Sequence, residues 1–441
     1  MTESNEYKAD VYIKEGKISL ISNGEILSAK KTINAKGMLL FPGLIDTHMH
    51  IGEYSADYEE MDTATLAAAA GGFTCLIDMP VNQQSPSIKT KALFAEKKGR
   101  LEENAYTDFC MWGALCPDNI NEYRGMRDEG AVAFKAFLSG GGNDFPAPDM
   151  AELRDALAEL GRFGGMAGFH CEDNSIIQHE LQKMKKYNCN SRRAFLDSRP
   201  LIAEMLATKN VIELAKEAGA RVHICHVSHP KVAQLIKDAK ADGVDISAET
   251  CVHYLVFNEE NLINSGCLFK CAPPLRTKED SERLWDYVLD GTFSSIASDH
   301  SPGMPDNRDD TIKPIYEVGN GISGVQTMLQ TFYNAIIARG ISPTIIAKLM
   351  STEPAKRFGI YGKKGDIKVG FDGDIVIFNP DREWTITSDE LFYKQKISAY
   401  VGISGVGKPV KTILRGEEIV GDGIVYANKG VGKFVSDKEA G

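Results

Sequence analysis

Asp46-Thr47-His48-Met49-His50 places two imidazoles two residues apart at the end of an apolar run. Side chains at that spacing on a strand share a face, so His48 and His50 can point the same way and hold one metal ion. Such a pair alone is weak evidence. Further along, His170, His226 and Asp299 each fall at or near the end of a strand-like run. Lys135 lies inside another, Val132-Ala133-Phe134-Lys135-Ala136-Phe137. Imidazole nitrogens with a carboxylate suit a borderline divalent ion. Zinc fits first, and cobalt, manganese, iron and nickel also fit.

Lys135 has two readings. Its stem can pack while the amine snorkels out to water. Alternatively, an unpaired ammonium in an apolar strand tends to shed its proton. The neutral amine can then add carbon dioxide, giving a carbamate that is anionic, bidentate and able to bridge two metals. The surrounding ligand candidates favour the carbamate. Of the other histidines, His223 precedes His226 by three residues; strand alternation puts it on the opposite face, packed outside. His179, His229 and His300 read as surface groups or as neighbours of ligands. His253, at the end of another strand-like run, is expected to orient a ligand or line a pocket.

These residues need a scaffold that gathers strand ends. The middle of the chain alternates strand and helix, with eight candidate strands: Met38–His50, Phe73–Met79, Asp108–Leu115, Val132–Phe137, Gly165–Cys171, Arg221–Val227, Asp245–Cys251 and Phe293–Asp299. Eight is the number that closes a (β/α)8 barrel, and the ligand candidates cluster at the C-terminal ends where such barrels carry their sites. Helical periodicity fills the gaps, as at Ala151 to Phe163, Val211 to Ala218 before Gly219, and Val325 to Arg339 before Gly340. Short β segments with turns occupy both ends. The expected fold is α/β: a (β/α)8 TIM barrel over residues 43–368, with a small β-sandwich domain built from residues 1–42 and 369–441.

The chain has 441 residues, 43% hydrophobic and 25% charged, as an ordinary globular protein does. Its net charge of -11 argues against nucleic acid or an anionic membrane as partner. The polar start, Met1 to Glu6, lacks a signal-peptide pattern, so a cytoplasmic location is expected. The nine cysteines show no CxxC spacing, and Cys75, Cys110 and Cys225 sit in apolar runs. They read as free buried thiols.

Pro42-Gly43-Leu44-Ile45-Asp46-Thr47-His48-Met49-His50 resembles the entry motif of the cyclic amidohydrolases, which include dihydroorotases, hydantoinases, dihydropyrimidinases and allantoinases. Phe134-Lys135, Phe169-His170-Cys171-Glu172, His223 to Ser228, Cys271 to Arg276, Ser298 to Pro302 and Gly370 to Asp374 follow in the family's order. The resemblance spans nearly the whole chain. It implies two divalent ions: His48, His50 and Asp299 on the more buried one, His170 and His226 on the other, and Lys135 as N6-carboxylysine between them. It implies a bridging hydroxide as nucleophile, Asp299 as proton carrier, and no serine or cysteine nucleophile. A homotetramer is a further implication.

Within the family, Asp78-Met79-Pro80-Val81-Asn82-Gln83 and the stretch from Ser398 to Gly416 resemble the allantoinases. Hydantoinases usually carry a tyrosine five residues after the bridging lysine, and Gly140 stands there. Gly319-Asn320-Gly321 is more hydantoinase-like. Dihydroorotases meet the substrate carboxylate with an arginine two residues after the HxH pair; here that residue is Gly52, followed by Glu53. The expected substrate is therefore a neutral cyclic ureide, allantoin, opened to allantoate. A hydantoinase or dihydropyrimidinase is the alternative, and a non-catalytic scaffold is disfavoured because every ligand is kept. Family analogy puts backbone groups of Ala272 and Asn320 against the substrate ring. Asn82 and Gln83 are candidates for a ureido arm, or caps of a turn. Relatives usually begin with an apolar strand that Met1 to Ala9 does not supply, so the expectation is either a small sheet that lacks one strand or a recorded start that is late.

Overall fold

Gly43 divides what the sequence presents as one long strand. A Cβ there would lie 2.1 Å from Thr74 Oγ1 and 2.6 Å from Asp374 Cβ, so no side chain fits. Its N–H donates to Asp374 O at 2.8 Å. The expected strand Met38–His50 is therefore two, serving two sheets. The computed structural model describes residues 1–24, 28–51, 59–81 and 86–437.

The strands in chain order are β1 (Asp10–Lys14), β2 (Lys17–Ser22), β3 (Leu39–Pro42), β4 (Leu44–Met49), β5 (Phe73–Asp78), β6 (Asp108–Ala114), β7 (Ala133–Phe137), β8 (Met166–His170), β9 (Arg221–Ile224), β10 (Ile246–Cys251), β11 (Ser295–Ala297), β12 (Ile375–Thr385), β13 (Ser404–Leu414), β14 (Glu417–Gly421) and β15 (Ile424–Val425). β4 through β11 form one eight-stranded sheet in sequence order, and every pair in it is parallel. Closure between its two ends is local. Met49 bridges His300 in parallel, His50 N–H donates to His300 O at 2.9 Å, and Asp46 Oδ1 accepts from Ser298 N–H at 3.0 Å. The result is a near-closed (β/α)8 barrel.

Every residue of β4, β5, β6, β8 and β10 is buried, as strands with side chains inside the barrel and under helices must be. Cys75, Cys110 and Cys225 pack with Trp112 and Ile45 in one interior cluster, and all nine cysteines are free thiols. The helices carry ordinary stop and start chemistry. Over Met150–Arg162, Asp149 and Glu152 form a reciprocal cap, and Leu153, Ala156, Leu157 and Leu160 face inward. Leu201–Ala218 stops at Gly219, which takes the left-handed conformation at φ 58°.

The chain ends meet in a five-stranded antiparallel sheet, β15-β14-β13-β12-β3. The β1–β2 hairpin is a separate two-stranded sheet. Val11 and Ile13 of the hairpin pack on Ile375, Ile377, Val410 and Ile413, which gives the layered β unit expected. Residues 1–9 contain no strand. At the junction with the barrel, the Lys364 ammonium lies 2.5 Å from Asp108, 2.8 Å from Asp372 and 2.6 Å from Asp374. Those three carboxylates are spaced for a cation, and the lysine fills that role. Among the described residues, no helix is long and apolar enough to cross a membrane.

Candidate metal centre

His48 lies within β4 and His50 directly follows it; their ring centroids are 5.4 Å apart. Asp299 follows β11 by two residues with φ at 44°, a left-handed conformation uncommon outside glycine. Its Oδ1 lies 3.3 Å from His48 Nε2 and 3.5 Å from His50 Nε2. One ligand atom from each of the three lies within 4.8 Å of the others. His170 ends β8, and its ring is 4.8 Å from that of His226, which is 5.2 Å from that of His48. His226 also has positive φ, 35°. Two non-glycine ligand candidates in strained backbone mark a site that the fold holds against local preference.

Lys135 lies in β7 opposite Ala114 and Gly168. It is wholly buried, and its Nζ is 4.9 Å from the Phe137 ring centroid. Lys135 Nζ, His48 Nε2 and His226 Nδ1 are all buried without a hydrogen-bond partner. Such orphans are rare in native interiors and need an explanation. Divalent ions among these imidazoles and the Asp299 carboxylate supply one, so the residues present fit a metal centre. The protonation states agree. Burial, followed by the Lys135 charge, brings the His48 imidazole down to about 4 and holds His226 well below its ordinary value. Burial opposes ionisation of Asp299, but the His48 and His50 rings outweigh it and bring the carboxyl down to about 2. Neutral imidazole and ionised carboxylate are the ligating forms.

Two buried carboxylates behind the ligands went unassigned in the sequence. Glu249, in β10, has Oε1 2.5 Å from His48 Nδ1, and its Oε2 accepts from Thr47 Oγ1 at 2.6 Å. Carboxylate oxygens accept, so Nδ1 carries the proton and Nε2 is left for a metal. Glu172 Oε2 lies 2.7 Å from His170 Nε2 and also pairs with Arg199. Burial would raise the Glu172 carboxyl, but the Arg199 guanidinium and the His170 contact outweigh it and bring it down to about 2. The available signal for Glu249 was the one that exposed Lys135: a charged residue inside a strand-like run.

The expected outward placement of His223 is wrong. It is fully buried inside the barrel, with Nδ1 2.7 Å from Ser247 Oγ and Nε2 3.3 Å from Glu249 Oε2. Alternation cannot be carried from His223 to His226, because β9 ends at Ile224 and His226 sits in a left-handed turn. His179 is exposed. His229 is buried, caps the helix Pro230–Ala241 and pairs with Asp280 at 3.1 Å. His300 is buried beneath the centre, its Nδ1 accepting from Gly324 N–H at 3.2 Å. His253 is buried, and one of its ring nitrogens is grouped with Asp299.

These ligand candidates open onto a cavity of about 930 Å³. His48, His50, His170, His226 and Asp299 line it, as do Ala272 and Asn320, the two expected substrate contacts. Gly140 lines it where hydantoinases usually carry tyrosine, and Val81 lines it as well. Asn82 and Gln83, which follow Val81, lie outside the described residues, as do Gly52 and Glu53. Arg199 and Arg308 complete a partly cationic wall.

The chain is 38% identical to an allantoinase of Solibacter usitatus, over 93% of this chain and 90% of that protein. It is 36% identical to an allantoinase of Rubrobacter xylanophilus, over 97% and 94% respectively. Among solved structures, the L-hydantoinase (dihydropyrimidinase) from Arthrobacter aurescens superimposes with a TM-score of 0.95 at 31% identity, covering 99% of this chain and 97% of that one. Residues 39–419 match the model of the amidohydrolase family. With the match running through most of the chain and both ends of the barrel, the chain belongs to the amidohydrolase family.

Proposed function

We propose that the protein hydrolyses the ring amide of allantoin to give allantoate, with a binuclear metal centre at the barrel mouth. His48, His50 and Asp299 would hold one ion and His170 and His226 the other, with Lys135, as its carbamate, a ligand they would share. When bound, the metals supply an ionised water near neutral pH and polarise the amide carbonyl. The remaining chemistry belongs to the chain. Asp299 Oδ takes the proton of the attacking water and delivers it to the departing ring nitrogen, so the C–N bond breaks without expelling an amide anion. Glu249 and Glu172 hold His48 and His170 in one tautomer each. Ala272 and Asn320 place the ring against the centre, and Asn82 and Gln83 are assigned to the ureido arm. The same reading takes the ions as zinc and the protein as a cytoplasmic homotetramer.

The observation that carries this reading is the identity to allantoinases along nearly the whole chain, joined to a cavity lined by His48, His50, His170, His226 and Asp299. A hydantoinase activity is the second reading, supported by the hydantoinase structures that superimpose so closely. One experiment separates them. Values of kcat/KM for allantoin, hydantoin, dihydrouracil and dihydroorotate are measured on one preparation of known metal content. Allantoin should rank first. If unsubstituted hydantoin does, the second reading replaces the first.

A further inference from the structure

Lys270 is a buried lysine outside the metal centre, 2% exposed, two residues before the cavity residue Ala272. Its Nζ donates to Val318 O and, at 2.9 Å, to Asn320 Oδ1. Its own carbonyl accepts from Gly321 N–H at 2.8 Å. One residue thus grips the segment 318–321 at three points. The Phe195 ring covers the amine, with its centroid 4.3 Å away. On the other side, Arg308 donates to Gly319 O at 2.8 Å and to Ser301 O at 3.2 Å. Gly321, at φ 116°, passes so close to Ser301 that a Cβ would lie 2.3 Å from its Oγ. The segment is wedged, with little freedom to relax.

The chemistry of the clamp sets the orientation of Asn320. Lys270 Nζ donates to both Val318 O and Asn320 Oδ1, so the amide oxygen of Asn320 faces Lys270. Its NH2 group is then turned away, on a residue that lines the cavity. Among the described residues, the Asn320 side chain has no other partner. We propose that Lys270 is a positioning residue that holds Asn320 so that its Nδ2–H is presented to the substrate as a donor for a carbonyl oxygen. The cyclic ureide of the proposed function offers such acceptors, and the inference rests on that reading for its substrate. The Asn320 side chain thereby selects for a carbonyl on the ring or its arm, beyond any contact made by its backbone.

The test is a double-mutant cycle on metal-loaded enzyme with allantoin. Lys270→Met and Asn320→Ala should each raise KM about tenfold, the worth of one well-made hydrogen bond, while kcat moves less than about threefold and metal content is unchanged. In the Asn320→Ala background, Lys270→Met should add little, because the residue it orients is gone. Asn320→Asp keeps an oxygen for Lys270 but loses the donor, so its KM should rise at least as far as that of Asn320→Ala. If Lys270→Met fails to fold, Lys270→Gln takes its place in the cycle with the same expectation, because its shorter arm cannot donate to both Val318 O and Asn320 Oδ1. Multiplicative effects in the cycle, or a wild-type KM in Asn320→Asp, overturn the proposal. Should the wild type prefer hydantoin, the substrate reading fails separately, and the same cycle is run on hydantoin.

Discussion

Glu249 lies behind two histidines at once, its Oε1 2.5 Å from His48 Nδ1 and its Oε2 3.3 Å from His223 Nε2. It is fully buried, yet its carboxyl stays well below the ordinary value; burial opposes ionisation, and the His48 and His223 contacts overcome it. A charged carboxylate there fixes the His48 tautomer and raises the basicity of Nε2. Partners of this kind are typically worth 10–100-fold in metal affinity. Glu249→Gln keeps the shape and removes the charge, so metal affinity should fall by about tenfold or more, measured by competition with a chelator. An unchanged affinity would remove Glu249 from the centre.

Much of this architecture was legible in the sequence because chemistry and period coincide. His48, His50, His170, His226, Lys135 and Asp299 fall at or near strand ends, and the strands recur in the alternation that a barrel requires. What was not legible arises from backbone that leaves the regular period. The break at Gly43 is a contact with Thr74 and Asp374, residues remote in sequence. The inward placement of His223 and the reach of His226 depend on a left-handed turn after β9. The grip of Lys270 on Asn320 joins residues 50 apart, a pairing that no local pattern announces.

On the proposed reading, Lys135 brings carbon dioxide into the centre as its carbamate. Its buried Nζ has no hydrogen-bond partner, an arrangement that carbamate formation and metal binding would relieve. Lys135→Ala should fold, because it adds no bulk and removes an unpartnered buried amine, but it should lose most of its metal by elemental analysis. Short carboxylic acids such as propionate should restore part of the occupancy and the activity by standing in for the carbamate. Full occupancy in Lys135→Ala without added acid would exclude the bridge.

Asp299 is asked to ligate and to carry a proton. Asp299→Asn retains an oxygen for the metal but cannot accept the proton. General acid–base catalysis is worth roughly 10²–10⁴-fold, so kcat should fall within that range. Metal content, read on the same sample, separates the two roles: a loss of kcat at full occupancy assigns the proton transfer, and a variant that turns over normally excludes it.

Lys270 also makes stability depend on pH in a direction that can be checked. Burial is the largest cause, with the Arg199 and Arg308 guanidiniums adding to it, and together they bring the amine down from 10.5 to about 7. Below about pH 7 the amine is protonated in the folded and the unfolded chain alike, so it adds no slope. Between about 7 and 10.5 the unfolded chain binds the proton and the folded chain does not. The unfolded state then holds more protons, and stability rises with pH across that window, at up to about 1.4 kcal/mol per pH unit. The neutral amine still has two N–H groups, enough for Val318 O and Asn320 Oδ1, so the clamp survives the loss of charge. Lys270→Met has no such titration. Urea midpoints of the two metal-loaded proteins, measured from about pH 6.5 to 10, should diverge in favour of the wild type above about pH 7. Parallel curves would mean that the amine keeps its ordinary affinity for protons and is better hydrated than its burial implies.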